Sequence, residues 1–185
     1  MTSITRDPLL AAAKGILWFL MGVMVVGATA CLAGIPIMLV LRGKIMAELA
    51  TQAPGLVFGQ FYMAIVALCL LGAGLLVLLF RIFQLLKQIV GTVGEGDPFV
   101  PENARRLTRM AWLTLAVQII ALPITGIATW IHKLTEGVRD SAIDVRVEVD
   151  GGFNGNGLLL MLILFILARV FRKGAEMRAE LEGTV

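Results

Sequence analysis

Four long stretches of this 185-residue chain contain no charged side chain, and they limit the folds that the chain can adopt. They cover residues 15–41, 49–80, 110–131 and 151–168. About 20 apolar residues in a helix cross a hydrocarbon layer of about 30 Å, so each stretch can form one span, the last one only just. The spans must be helical, because an unpaired backbone amide in lipid costs several kcal/mol.

We therefore predict one all-α integral membrane domain over residues 1–185. Its four transmembrane helices are expected at about 15–41, 56–80, 110–131 and 153–171. The composition fits this class, since 58% of the residues are hydrophobic and 16% are charged, whereas soluble domains contain about 25% charged residues.

The Lys and Arg residues predict which side of the membrane each connection faces. Of the 16 such residues, five fall between spans 1 and 2 or between spans 3 and 4, namely Arg42, Lys44, Lys133, Arg139 and Arg146. The other eleven fall at the two ends of the chain and in loop 81–109. Because cationic residues concentrate on the cytoplasmic side, the N-terminus, the C-terminus and loop 81–109 are predicted to be cytoplasmic. The outer loops are 42–55 and 132–152.

Segment 94–109 is the most polar connection, and it carries strong turn signals. Gly94, Gly96 and the Asp97–Pro98 pair predict the end of one helix and a turn. Pro101 suits the first position of the next helix, where a missing amide has no intrahelical role.

Two helices are predicted to continue beyond the membrane. After span 2, an apolar stripe continues to about Val90, which is typical of an amphipathic extension. After Arg169, oppositely charged side chains recur at the four-residue spacing of an exposed helix. These pairs are Arg172/Glu176 and Arg178/Glu182.

The second outer loop has the alternation of a β-strand. Apolar and charged residues alternate with a period of two from Ile143 to Val149, and glycine-rich turn signals follow. A single strand leaves its backbone groups unpaired, so it needs a partner such as the same segment of a second subunit. We therefore predict a small extracytoplasmic β element between helices 3 and 4, and a homo-oligomer through 143–149 as one way of pairing it.

The third span contains the intramembrane polar residues Gln118 and Thr125. Pro123 leaves the carbonyl of Ile119 without its usual amide donor, and Gln118 or Thr125 is a candidate replacement. A glutamine in a span more often bonds to a neighbouring helix than to a transported ligand. The alternative is that Gln118, Thr125 and Thr129 line a pore.

The residues needed for catalysis are not grouped in this sequence. The predicted spans contain no Asp, Glu, Lys, Arg or His before Arg169, and proton relays and ion-coupled transport usually use such side chains. We therefore predict a non-enzymatic protein without a cofactor. His132 has no cluster of ligands in register for a metal. The formal charge of +3 lies at helix ends beside lipid headgroups, so direct binding of nucleic acid is not expected.

The segment Gly94-Glu95-Gly96-Asp97-Pro98-Phe99, followed by Asn103, Arg105, Arg106 and Leu107, together with residues 163–175, resembles domain-of-unknown-function family 2975. These are small bacterial membrane proteins, and the resemblance covers almost the whole chain. It implies four spans, a bacterial cytoplasmic (inner) membrane location and a pairing with a cytosolic helix-turn-helix regulator. It implies no established activity and no catalytic residues.

The leading hypothesis is a membrane sensor or anti-regulator that binds a soluble transcription factor on its cytoplasmic face. The predicted docking residues are Asp97, Pro98, Phe99, Asn103, Arg105, Arg106, Arg109, Arg172 and Lys173. Two alternatives remain open, namely an oligomeric pore or channel-like protein and an accessory subunit of a membrane complex. The lipid bilayer is a partner in all three.

Overall fold

The computed structural model describes residues 8–52, 58–135 and 155–182. These residues form five helices, and none of them is in a strand. The helices are α1 (Pro8–Val40), α2 (Arg42–Gln52), α3 (Phe58–Gly94), α4 (Pro101–Thr135) and α5 (Gly155–Glu182). Three segments are long and apolar enough to cross a membrane, namely Pro8–Val40, Gly59–Gly94 and Pro101–Ile131. The chain therefore has the features of a multi-pass membrane protein.

The predicted fold class, with four spans and a β element, is wrong. The described residues contain three candidate spans, and α5 is not one of them. The uncharged part of α5, 155–168, is about 14 residues long and gives about 21 Å of helix, which is shorter than a hydrocarbon layer of about 30 Å. The strand predicted at 143–149 lies outside the described residues, and the elements on both sides of it, α4 and α5, are helical.

The predicted helix extensions are confirmed. Helix α3 continues past Phe80 to Gly94, and α5 continues past Arg169 to Glu182. Pro36 lies inside α1, which continues past it to Val40. The connection predicted as outer loop 42–55 contains helix α2.

The chain divides into two compact units. The hairpin unit contains the described residues 8–25, 77–117 and 155–182, and the apolar unit contains 26–52, 58–76 and 118–135. Each unit combines segments that are distant in the sequence. The functional candidates described below lie in the hairpin unit, except Gln118, Thr125 and Thr129.

The core of the hairpin unit is a cluster of side chains from three helices. Its members are Ile89 from α3, Leu107, Met110 and Ala111 from α4, and Leu164 and Ala168 from α5. The two alanines allow the helix backbones to approach closely. On α1, Leu17 and Met21 are buried, and the Lys87 ammonium lies 3.9 Å from the centre of the Trp18 ring.

The apolar unit has close helix contacts at small residues. A Cβ atom at Gly27 of α1 would lie 3.1 Å from Leu76 Cδ1 of α3, so this glycine allows a close approach. Cys31 and Cys69 are free cysteines, half-buried in α1 and α3.

Candidate functional site

The turn after α3 has the hydrogen bonds of a Schellman motif. Gly96 has a φ of +86°, a conformation that glycine adopts without the steric penalty of a side chain. Its amide donates to the Val93 carbonyl at 3.1 Å, and the Asp97 amide donates to the Thr92 carbonyl at 3.1 Å. These bonds satisfy carbonyls that the end of the helix leaves unpaired. The predicted end of the helix at the glycines is therefore confirmed.

Helix α4 begins at Pro101, as the sequence predicted. The Asn103 amide donates to the Val100 carbonyl at 3.0 Å, which closes the first turn. Glu102 lies in this turn, where a negative charge interacts favourably with the helix dipole.

The Asn103 side chain connects the end of α3, the turn and the start of α4. It is fully buried, with 0% exposure. Its Nδ2 donates to Thr92 Oγ1 at 2.7 Å and to the Pro98 carbonyl at 2.9 Å, and its Oδ1 accepts from Arg106 Nη1 at 2.7 Å. Both amide hydrogens and the carbonyl oxygen thus have partners, as a buried polar group requires.

Three contacts join the turn to α5. The rings of Phe99 and Phe171 have centroids 5.3 Å apart. At Gly174, a Cβ atom would lie 2.6 Å from Phe99 Cδ1, so the ring occupies the space that a side chain would need. Arg178 of α5 also forms an ion pair with Asp97 of the turn. We call these contacts, together with the Asn103 hydrogen bonds, the turn lock.

A groove lies beside the turn lock, between the start of α4 and the last turns of α5. Its volume is about 380 Å³. We call it the docking groove, and its lining residues are Pro101, Ala104, Arg105, Arg172, Ala175, Glu176 and Ala179. Small residues from both helices line it together with two exposed arginines. Glu176 is paired with Lys173, whose Nζ is 3.5 Å from Glu176 Oε2.

A second groove, the arginine groove, lies between α3 and α4. Its volume is about 590 Å³, and its lining residues are Arg81, Gln84, Leu85, Gln88, Arg109, Trp112 and Leu113. Arg81 Nη1 donates to Gln84 Oε1 at 3.1 Å. Trp112 also contacts α5 through an edge-to-face arrangement with Phe165, whose ring centroid is 5.6 Å away.

The structure divides the predicted docking residues into three groups. Asp97, Pro98, Phe99, Asn103 and Arg106 take part in the turn lock. Arg105 and Arg172 line the docking groove, and Lys173 lies next to it on α5. Arg109 lines the arginine groove. That these nine residues bind a partner stays a prediction.

Sequence reasoning missed the partners of the lock, namely Thr92, Phe171, Gly174 and Arg178. A signal for the Asn103 role was present, because Asn103, Leu107, Met110 and Ala111 follow the spacing of one helix face. That face is buried, so the stripe places Asn103 on the core side of α4.

The intramembrane polar residues lie on α4. Gln118 is buried, with 9% exposure. Thr125 Oγ1 donates to the Leu122 carbonyl at 2.8 Å rather than to Ile119, which the sequence had suggested as its acceptor. Thr129 Oγ1 likewise donates to the Gly126 carbonyl of the same helix at 3.2 Å. The pore hypothesis stays a prediction.

Among the described residues, no group of three side chains that could bind a metal ion occurs. The His132 side chain lies outside the described part of the chain.

In comparisons with known proteins, the family model described as "Protein of unknown function (DUF2975)" matches residues 44–185. No curated protein and no solved structure matches the chain.

Proposed function

We infer that this chain, which belongs to the DUF2975 family, is a non-enzymatic membrane protein that binds a cytosolic regulator. The family match confirms the resemblance seen in the sequence, and the family's description gives no activity. Following that resemblance, we propose a sensor or anti-regulator of the bacterial cytoplasmic membrane, whose partner is a helix-turn-helix transcription factor.

The docking groove carries this proposal. Ala104, Ala175 and Ala179 lack bulky side chains, so a third helix can approach closely, as helices do at axis separations of about 8–10 Å. Arg105 and Arg172 are exposed at the groove and complement acidic side chains. The partner we propose is therefore a helix with a small or apolar face beside Asp or Glu residues.

The turn lock supports the proposal because it holds the two sides of the groove together. Arg178 and Gly174 tie α5 to the turn from which α4 starts. A preformed groove loses less conformational entropy when it binds than a mobile one does. The turn lock residues are thus positioning residues in this proposal, and Arg105 and Arg172 are the contact residues.

Binding of the regulator is the first test. The full-length protein in nanodiscs would be titrated with a purified candidate helix-turn-helix regulator, and Kd measured. Changing Arg105→Glu and Arg172→Glu together is expected to weaken binding at least about tenfold, because like charges would then face each other. Arg42→Glu on α2 is the matched control and is expected to leave Kd unchanged. Equal Kd values for the wild type and the double variant would contradict the proposal.

The proposal also needs the turn to face the cytosol. Glu95 is exposed in the turn, so Glu95→Cys in a chain with Cys31 and Cys69 changed to Ser provides a single labelling site. A membrane-impermeant maleimide is expected to label this cysteine in inverted vesicles and not in intact cells. Labelling from outside intact cells would show that the turn faces away from the cytosol. The proposed contact with a cytosolic protein would then be ruled out.

A further inference from the structure

We propose that the arginine groove binds the phosphate headgroup of an anionic membrane lipid. The groove is separate from the docking groove, so this proposal does not depend on the proposed regulator.

The charge of the groove favours an anion. Arg81 and Arg109 enter it from two different helices, and Gln84 and Gln88 add amide donors. Among the described residues that line it, none is acidic. Guanidinium groups bind phosphate oxygens through paired, charge-assisted hydrogen bonds. The hydrogen bond between Arg81 Nη1 and Gln84 Oε1 orients one of these groups.

The position of the two arginines along their helices favours a phosphate that belongs to a lipid over a free phosphate ion. Arg81 is the first charged residue after the apolar stretch of α3, and Arg109 is the last one before the apolar stretch of α4. Both therefore lie at the end of the uncharged part of a candidate spanning helix, which is where lipid headgroups are expected. Basic pockets between helices at this level bind anionic headgroups.

The apolar part of the lining also fits a lipid better than a free ion. Trp112, Leu85 and Leu113 lie in the same groove as the arginines. Trp112 is 59% exposed, and tryptophan is enriched at membrane–water interfaces because its ring is amphipathic. The volume of about 590 Å³ is within the usual range for sites that bind small organic molecules. A phosphate with glycerol and the first acyl carbons would contact both kinds of side chain.

Native mass spectrometry of the full-length protein tests the proposal. The probes are phosphatidylglycerol and phosphatidylcholine with the same acyl chains. The wild type is expected to bind phosphatidylglycerol at least about tenfold more tightly. Arg81→Gln and Arg109→Gln are each expected to lower that affinity about tenfold, which is the loss of one charge-assisted hydrogen bond. Arg81→Lys keeps the positive charge but loses the paired N–H donors of the guanidinium group. Its affinity for phosphatidylglycerol is expected to lie between those of the wild type and Arg81→Gln.

Arg169→Gln is the matched control, because Arg169 is the first charged residue after the apolar part of α5 and is exposed outside the groove. It is expected to keep the wild-type affinity. An equal loss in Arg169→Gln would mean that the affinity depends on the total positive charge and not on the groove, and would overturn the proposal. Equal affinity for phosphatidylcholine would also overturn it, as would displacement of the lipid by equimolar inorganic phosphate. Unchanged thermal unfolding of the variants would show that the losses come from binding.

Discussion

The hairpin unit and the apolar unit bury their side chains differently. Among the described residues, the hairpin unit has a hydrophobic cluster from three helices and the fully buried Asn103. In the described apolar unit, the buried residues are Ala73 and Gln118. Large side chains there point outward, with Val40 83% and Met63 67% exposed. Such side chains suit a lipid environment, where apolar surface is not driven inward.

This difference indicates where the chain can hold a defined surface. A buried hydrogen-bond network fixes one arrangement of the elements that contribute to it. In the hairpin unit, this network lies beside the docking groove, whereas the described part of the apolar unit relies on helix packing at small residues such as Gly27. We therefore expect substitutions in the turn lock to lower the free energy of unfolding most.

The largest effect is expected for Asn103→Ala. The change removes three hydrogen bonds and leaves Thr92, the Pro98 carbonyl and Arg106 without this partner. Unsatisfied buried groups cost about 1–3 kcal/mol each, and with partial access to water we expect a total loss of about 3 kcal/mol in the free energy of unfolding. Thermal unfolding followed by circular dichroism in mild detergent measures it. Thr125→Ala in the apolar unit, expected within about 0.5 kcal/mol of the wild type, is the control. Equal losses would remove the distinction between the units.

The local boundaries in this region were predictable, whereas the tertiary partners were not. Pro101 as the first residue of α4 and Gly94 as the end of α3 follow from backbone chemistry that acts within a few residues. For Arg178 the sequence suggested Glu182 of the same helix, whose side chain lies outside the described residues, and the structure pairs Arg178 with Asp97 of the turn. Local spacing cannot reveal this distant partner, because the contact depends on how α5 packs.

Span counting met a similar limit. A charge-free stretch shows that a segment can enter lipid, but not how far the segment reaches. The predicted fourth span includes residues outside the described part of the chain. The described uncharged part of α5, 155–168, is by itself shorter than a hydrocarbon layer.

The residues of the docking groove were predicted only in part. Arg105 and Arg172 stand out in the sequence as charged residues, whereas nothing in the local sequence marks Ala175 and Ala179 as lining residues.

The second largest effect is expected for Gly174→Ala. The new Cβ would lie 2.6 Å from Phe99 Cδ1, so the ring has to move and lose part of its contact with Phe171. Overpacking costs about 1–3 kcal/mol, against a gain of up to about 1 kcal/mol in helix propensity. We expect a net loss of about 1 kcal/mol in the free energy of unfolding, measured by thermal denaturation.

Gly126→Ala is the matched control from the apolar unit, because a Cβ atom added at Gly126 would meet open space within 4 Å. It is expected to stabilise the protein by up to about 1 kcal/mol. The double variant Gly174→Ala/Phe99→Ala should lose less free energy of unfolding than the sum of the losses in the two single variants. A stabilising Gly174→Ala would show that the ring moves without cost.

A smaller effect is expected for Gln118→Leu, which tests the buried polar residue of the apolar unit. Hydrogen bonds of polar side chains between membrane helices contribute about 0.6–1 kcal/mol, and leucine recovers some of this loss by packing. We expect the free energy of unfolding to fall by about 0.5 kcal/mol. A loss in the free energy of unfolding as large as that of Asn103→Ala would show that Gln118 stabilises the apolar unit as strongly as Asn103 stabilises the hairpin unit.

The same variant separates the docking hypothesis from the pore hypothesis. Purified protein in liposomes is expected to show no conductance, with or without Gln118→Leu. Conductance in the wild type that is lost in the variant would favour the pore and place the function in the apolar unit.

The smallest effect is expected at the edge of the turn lock, for Arg178→Gln. The ion pair with Asp97 is partly exposed, at 47% and 37% for the two side chains, and pairs of this kind contribute about 0.2–1 kcal/mol. We expect a loss of about 0.5 kcal/mol at low salt and almost none at about 1 M salt, where charges are screened beyond about 3 Å. Lys44→Gln removes an exposed cation of α2, away from the docking groove, and serves as the control for loss of a cation. Weaker regulator binding in Arg178→Gln alone would show that the ion pair with Asp97 positions the docking groove. Equal binding in both variants would show that Asn103 and Phe99 hold the turn without this ion pair.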